Sequence, residues 1–283
     1  MNTFIPLARN SILNTLTVIV FIAMSFATAS HQKTGSATYL ANEGIMVEAG
    51  GYKVLFDPFF HNDYGNYQLV PSNILDAIMS NSPPYNNIDA IFVSHAHGDH
   101  FAAQDMLDYL QVYSAVKLIA PTQAIQKLSV LAGFEKIQKQ LLSIALEYGD
   151  TPQSLVVDNI EIDAVRIPHA GWPGRADVSN IVFRVSLPSE NGLSTFVHMG
   201  DADPNDEHFR PYSAFWQQAK PDFAFPPYWF FQSIQGNYIL NTHINAEKNV
   251  GVHVPVKVPE SLKENGEAYF SVPGEKLDLV HKH

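Results

Sequence analysis

The segment Ser94-His95-Ala96-His97-Gly98-Asp99-His100 brings four metal-competent side chains, His95, His97, Asp99 and His100, together within six positions. Four such groups cannot all sit in a core, because each would need its own buried partner. A solvated histidine-rich loop is the other ordinary account, but such loops seldom follow a stretch as apolar as residues 88–93. A strand that runs into a tight turn at Gly98 lets His95 and His97, two apart, point to one side. Asp99 and His100, beyond the turn, point to a second focus nearby. Separate ligand sets a few ångströms apart are what a pair of metal ions needs. The chain has 12 His and no Cys. Disulfides, thiolate nucleophiles, Cys-ligated zinc and iron–sulfur clusters are therefore excluded, and a metal must be held by His, Asp or Glu.

The elements that must position this segment can be read from periodicity and punctuation. Short strands are expected over 37–40, 45–48 and 52–56, and a helix over 72–79 with Ser72 as its cap. Residues 88–93 read as a strand buried on both faces. Helices are expected over 102–110, 122–131 and 134–146, then strands over 155–157, 160–167, 181–187 and 194–199. The Asn191-Gly192 pair suits a hairpin turn between the last two. A helix near 207–219, a strand over 222–225, a helix running into Lys248 and a strand over 250–254 complete the pattern. Strands and helices come in two similar batches. Two mixed sheets face to face with helices outside would fit, although the pattern alone does not fix the topology.

The motif resembles the HxHxDH signature of the metallo-β-lactamase-fold hydrolase superfamily, and the resemblance extends over nearly all of residues 30–283. Asp57, closing Val54-Leu55-Phe56-Asp57-Pro58, resembles the family's early aspartate. His169 in Ile167-Pro168-His169-Ala170-Gly171, Asp201 in His198-Met199-Gly200-Asp201 and His253 in Gly251-Val252-His253-Val254-Pro255 match the later motifs. The resemblance implies an α/β fold, an αββα sandwich with a dinuclear site along one edge. It implies that His95, His97 and His169 hold one ion, that Asp99, His100 and His253 hold the other, and that Asp201 bridges them. Asp99 and Asp201 are thus the candidate catalytic carboxylates, and Asp57 is expected to orient a histidine rather than bind metal. The implied cofactors are two divalent ions, zinc first, with manganese or iron as alternatives. The opening residues 38–48 are most similar to the branch of ascorbate-phosphate lactonases and N-acylphosphatidylethanolamine phosphodiesterases. Asp201 is preferred to Asp203 because it directly follows a strand and Gly200, and His253 to His243 because His243 lies in a helix-like stretch.

Residues 223–231 hold six aromatics in nine positions, interrupted by Pro226-Pro227. Core packing and a substrate wall are equally good readings of such a run. Trp172, Tyr228, Trp229 and Phe230 are the substrate-wall candidates, and Arg175 and Arg210 are candidates for an anionic substrate group. Lys and Arg total 17 against 28 Asp and Glu, for a net charge of −11. A surface this acidic repels a phosphate backbone, so nucleic-acid binding is not expected. Residues 1–29 read as a signal peptide. Arg9 is followed by an apolar stretch too short to span a membrane, then by Ala27-Thr28-Ala29 as cleavage site. The expected mature protein is a periplasmic or secreted hydrolase without a transmembrane helix. It would act on a small, partly hydrophobic ester, lactone or phosphodiester through a hydroxide held between the ions. The alternatives are a true β-lactamase and a non-catalytic metal-binding protein.

Overall fold

The computed structural model describes residues 1–2, 35–190 and 192–279. The expected leader, apart from its first two residues, and Asn191 of the expected hairpin turn lie outside the described residues. From residue 35 onward the described residues belong to one compact unit.

Tight turns at Asn42-Glu43 and Gly50-Gly51 fold the first apolar stretches into an antiparallel meander of β1 (Gly35–Ala41), β2 (Gly44–Ala49) and β3 (Tyr52–Phe56). Gly50, at φ +54, lies so close to the Pro188 carbonyl that a side chain there would have no room. Helix α1 (Ser72–Met79) then leads to β4 (Ala90–Phe92), which pairs parallel with β3. Pro71 precedes the helix and Ser72 is its first residue, so Ser72 makes no capping bond, contrary to expectation. Helix α2 (Ala103–Val112), β5 (Lys117–Pro121) and α3 (Thr122–Ser129) continue the alternation. The helix expected over 134–146 is absent: two single 3₁₀ turns are followed by the parallel strand β6 (Leu141–Ile144). A short apolar run of this kind suits either element, and pairing with β5 decides it.

The second sheet is a meander of β7 (Gln153–Val157), β8 (Ile160–Arg166), β9 (Ile181–Ser189) and β10 (Gly192–His198), joined in parallel by β11 (Phe223–Phe225) and β12 (Lys248–Asn249). The first sheet has the order β13-β1-β2-β3-β4-β5-β6, in which β13 (Lys276–Asp278) returns to cover the edge of β1. Between β10 and β11 the expected long helix is broken into α4 (Asp206–Phe209), a 3₁₀ turn containing Pro211, and α5 (Ser213–Trp216). Helix α6 (Ile234–Ile239) widens into a π turn before β12, and α7 (Glu260–Glu264) follows.

Three layers of apolar packing result. Tyr39, Val47, Phe56 and Phe92 of one sheet meet Ile162, Phe183, Phe196 and Phe225 of the other. The outer face of the first sheet packs on Ile78, Met106, Leu110 and Leu128 of α1 to α3. Val165, Val197 and Ala224 of the second sheet pack on Phe209, Trp216 and Ile239. This is an α/β sandwich of two mixed sheets with helices outside. No helix among the described residues is long and apolar enough to cross a membrane.

Candidate metal centre

The motif leaves the end of β4 between the two sheets. Val93 donates its N–H to Ile119 of β5, while Ser94 accepts at its carbonyl from Ile181, the first residue of β9. The chain then turns sharply, with the His100 and Phe101 amides both donating to the His97 carbonyl. Asn62 donates to the Gly98 carbonyl (3.1 Å) and Lys127 to that of Ala96, pinning the turn from two sides.

His169 and Asp201 come from neighbouring loops at the ends of β8 and β10. They are tied by Ala170 N–H to Asp201 O (2.7 Å) and Asp203 N–H to Pro168 O (2.8 Å). Asn180 bolts the same loops. Its side-chain amide donates to Ile167 and Met199, and its carbonyl accepts from the Asp201 N–H (3.0 Å). Gly200, at φ +51, has no room for a Cβ, which would lie 2.6 Å from that of Ser94. His253 is not the end of a strand: it sits in a left-handed turn at φ 56, its N–H held by Asn42 O (2.9 Å). The Asn42 side chain in turn donates to the Asp99 carbonyl (3.0 Å). Asn42, Asp57 and His253 are all non-glycine residues with positive φ, so strained backbone collects around this one place.

These loops bring ligand-type atoms together in two groups, each within 4.8 Å: His95, His97, His169 and Asp201, and Asp99, His100, Asp201 and His253. Asp201 belongs to both. Its Oδ2 lies 3.1 Å from His169 Nε2, and its Oδ1 lies 3.3 Å from His100 Nε2 and 3.2 Å from His253 Nε2. Hydrogen bonds behind the histidines select which nitrogen points inward. Asp57 accepts from Ser94 N (2.7 Å), Ser94 Oγ (2.5 Å) and His100 Nδ1 (2.8 Å). With its proton so committed, Ser94 Oγ accepts from His95 Nδ1 (3.1 Å). His169 Nδ1 donates to the Ala170 carbonyl (2.7 Å). The Nε2 atoms of His95, His100 and His169 therefore face the cluster.

Electrostatics separate the two groups. Burial and the neighbouring His100 push His95 far below its usual value, and burial with His169 brings His97 down to about 4. Both are neutral at pH 7, with lone pairs available. Burial alone would also lower His100 and His253, but the negative charge of Asp201, with the other carboxylates close by, outweighs it and raises both. Those histidines in turn overcome the burial of Asp99 and Asp201 and hold the two carboxylates below the usual range. Asp99 Oδ1, Asp201 Oδ1 and the Nε2 atoms of His100, His169 and His253 are buried without a hydrogen-bond partner. Orphaned atoms converging on two points, all of N and O type, are what a pair of divalent ions satisfies.

A third buried group, Glu43, Asp57 and His198, lies behind the second. His198 stacks on Phe56 at 4.8 Å and donates from Nε2 to the Glu43 carbonyl (2.9 Å). Burial and the nearby Asp201 raise Glu43 well above the usual carboxylate value.

Over the two groups opens a cavity of about 520 Å³ lined by Tyr64, Asn66, Tyr67, Arg175, His97, Asp99, Asp201 and His253. None of the four residues expected in the aromatic wall lines this cavity. Phe230 is wholly buried in the packing beneath the second sheet. Trp229 donates its indole N–H to the Ala202 carbonyl (3.1 Å) and sets its ring against His253 from outside the cavity lining, where Tyr228 also stands. Trp172 packs on Tyr148 and His208, again away from the lining. Asp203 accepts from Gly171 N, and His243 pairs with Asp206 (2.7 Å), so neither joins the two groups. The aromatics that do line the cavity, Tyr64 and Tyr67, lie in the polar stretch 61–68, where no apolar pattern marks them.

Residues 36–214 match the family model described as the beta-lactamase superfamily domain. The chain belongs to that superfamily. Its sandwich is the metallo-β-lactamase fold, and similar solved structures share it. One is Igni18, a novel metallo hydrolase from Ignicoccus hospitalis, with a TM-score of 0.58 at 18% identity, covering 88% of this chain and 100% of that one. A possible metal-dependent hydrolase from Veillonella parvula gives a TM-score of 0.55 at 15% identity, covering 87% and 98%. An isothiocyanate hydrolase from Delia radicum gut bacteria gives 0.53 at 15% identity, covering 86% and 98%. No curated protein matches the chain in sequence. The superfamily match ends before His253, so the second group is completed from beyond the matched segment.

Proposed function

We propose that this superfamily member is an exported dinuclear metal-dependent hydrolase of ester, lactone or phosphodiester bonds. The observation that carries the reading is the pair of buried ligand groups sharing Asp201 at the floor of an open cavity. His95, His97 and His169 would hold one ion, Asp99, His100 and His253 the other, with Asp201 between them and Asp57 fixing His100. Zinc suits these all-N/O sets, with manganese or iron as alternatives. Two such ions supply Lewis acidity to the scissile bond and bring the pKa of bound water towards roughly 7.

The chain's own residues set the rest. Neutral His95 and His97 leave the first position strongly electrophilic, and Asp99 and Asp201 offset charge where the two dications would stand close together. Asp201 offers Oδ2 towards His169 and Oδ1 towards His100 and His253, so one carboxylate would serve both positions and two ions held there would supply charge stabilisation to attacking and leaving oxygens. The similarity of residues 38–48 to lactonases and phosphodiesterases favours those bonds over a β-lactam. Export is supported by Arg9, the apolar stretch after it and Ala27-Thr28-Ala29.

The test is a substrate panel on protein whose metal content has been measured. Aryl phosphodiesters or hydrophobic lactones should be hydrolysed, and penicillins and carbapenems left intact. Efficient carbapenem hydrolysis with the other classes untouched overturns the assignment in favour of a β-lactamase. Bound metal with no turnover of any ester favours the non-catalytic alternative.

A further inference from the structure

The chain's arginines are few, and all but one of the described ones are engaged. Arg166 reaches Glu147 and the Leu146 and Ala176 carbonyls. Arg184 pairs with Asp163 at 2.8 Å and donates to Phe215 and Trp216. Arg210, the other sequence candidate for an anion contact, is exposed and faces Asp206 at 3.8 Å. Arg175 alone has a guanidinium with no carboxylate and no hydrogen bond among the described residues, and it lines the metal-centre cavity.

Arg175 is an exposed side chain that runs back over its own turn. It follows the turn 171–174, and its Cγ, Cδ and Nε lie over Gly171, close enough to touch a Cβ there. Gly171 N–H is anchored on Asp203 Oδ2 (3.2 Å), which ties this turn to the Asp201 loop. No lysine lines the cavity, and its two carboxylates, Asp99 and Asp201, both belong to the candidate ligand groups. With metal bound, those carboxylates are committed, and Arg175 is left as a fork of donors with nothing to bind.

The remaining wall is a second anchored loop. Tyr67 meets His253 edge-on at 4.1 Å, and the Asn66 carbonyl accepts from Val256 N (2.9 Å). The loop is also tied to the motif turn through Asn62 and Gly98. Tyr64 and Tyr67 therefore offer ring surface and hydroxyl groups beside the second ligand group. A guanidinium without a partner, two tyrosines and the two candidate ligand groups around one cavity describe a substrate with an apolar or aromatic body and an oxyanion away from the bond that is cut.

We propose that Arg175 is a specificity-determining residue that binds a carboxylate or phosphate on the substrate, remote from the scissile bond. This rests on the hydrolase reading above and names its substrate class: anionic esters or lactones in preference to neutral ones. The experiment compares 4-nitrophenyl glutarate monoester with the uncharged 4-nitrophenyl pentanoate, on metal-loaded wild type, Arg175→Gln and Arg175→Lys. Benzoate and phenyl phosphate, as competitive inhibitors, distinguish a carboxylate from a phosphate preference. Wild type should prefer the anionic ester by about tenfold or more in kcat/KM, as a charge-assisted bidentate pair gives. Arg175→Gln should remove that preference mainly through KM, with pentanoate kinetics within about twofold of wild type. Arg175→Lys should recover part of it, because the charge is kept and the fork is lost. Equal loss for both esters in Arg175→Gln, or a wild type indifferent to substrate charge, overturns the proposal. If the loaded protein cleaves neither ester, the hydrolase reading stands or falls on the wider panel above, and Arg175 is judged by binding alone. Calorimetric affinity for benzoate and phenyl phosphate should then fall about tenfold or more in Arg175→Gln, and unchanged affinity for both refutes the assignment.

Discussion

Asp57→Asn changes one atom at a site where three donors converge on a carboxylate. Oδ2 accepts from Ser94 Oγ and His100 Nδ1, and Oδ1 accepts from Ser94 N. An asparagine has one acceptor oxygen, so either orientation of its amide sets an NH₂ group against an N–H donor. If the oxygen stays on Ser94 N, the NH₂ faces His100, whose Nδ1 must then become the acceptor. The proton moves to Nε2, the atom needed for the second metal position. Loss of an orienting partner of this kind typically weakens metal binding about 10- to 100-fold, or about 1.4–2.7 kcal/mol. In metal-free protein the variant breaks a fully buried pair, which costs about 3 kcal/mol or more. For a domain of this size that is a fall in Tm on the order of 6–12 °C. A chelator titration followed by elemental analysis should turn biphasic, with one ion lost early and the other held near wild-type affinity. Two ions bound as tightly as in wild type would refute the tautomer argument. Equal weakening of both would mean that Asp57 supports the whole turn rather than His100.

Asp201→Asn should lower metal content and turnover by about 100-fold or more, since it removes the charge shared by both groups, whereas Asp203→Asn should change either by less than about tenfold. Reversed effects, read by elemental analysis and kinetics, would place the bridging group at Asp203. In the metal-free protein His100 and His253 have raised pKa values, so their protonated contacts are fully present below pH 6.5 and fade as pH rises through the folded-state values. Metal must displace those protons, so the second position should lose affinity by up to about tenfold per histidine for each pH unit of acidification, while the first, with His95 and His97 already neutral, empties later. Loss of both ions at one pH in a stepwise acid titration would contradict this. Gly200→Ala should destabilise the protein by about 2 kcal/mol or more, because a left-handed residue would gain a Cβ in contact with Ser94; an unchanged denaturation midpoint counts against the geometry. Intact-mass analysis of envelope protein should find Ser30 first, and retention of Met1 would argue against cleavage.

The HxHxDH turn was legible because its candidate ligands are adjacent in sequence and follow an apolar run that reads as a buried strand. His169, Asp201 and His253 are single residues in ordinary loops, and only the resemblance singled them out. What brings them together is a set of side-chain bolts, Asn42, Ser94 and Asn180, whose types have a hundred uses in any sequence. The aromatic run illustrates a different limit. Phe223, Phe225 and Phe230 are core residues, and composition cannot tell a core wall from a substrate wall because both reward the same apolar area. Elements were missed where pairing overrides local preference. β6 forms from a sequence that suits a helix equally well, and β13 exists because the edge of β1 needs cover.

The two halves of the candidate metal centre differ in when they can exist. His95, His97, His169 and Asp201 are all present once the first 201 residues have been made, whereas the group containing Asp99 and His100 waits for His253, beyond β11 and β12. Chains fold from the N-terminus as they emerge, and contacts between distant residues close last. The two groups therefore have a built-in order of completion: the first needs nothing beyond Asp201, whereas the second closes only when the chain has reached His253.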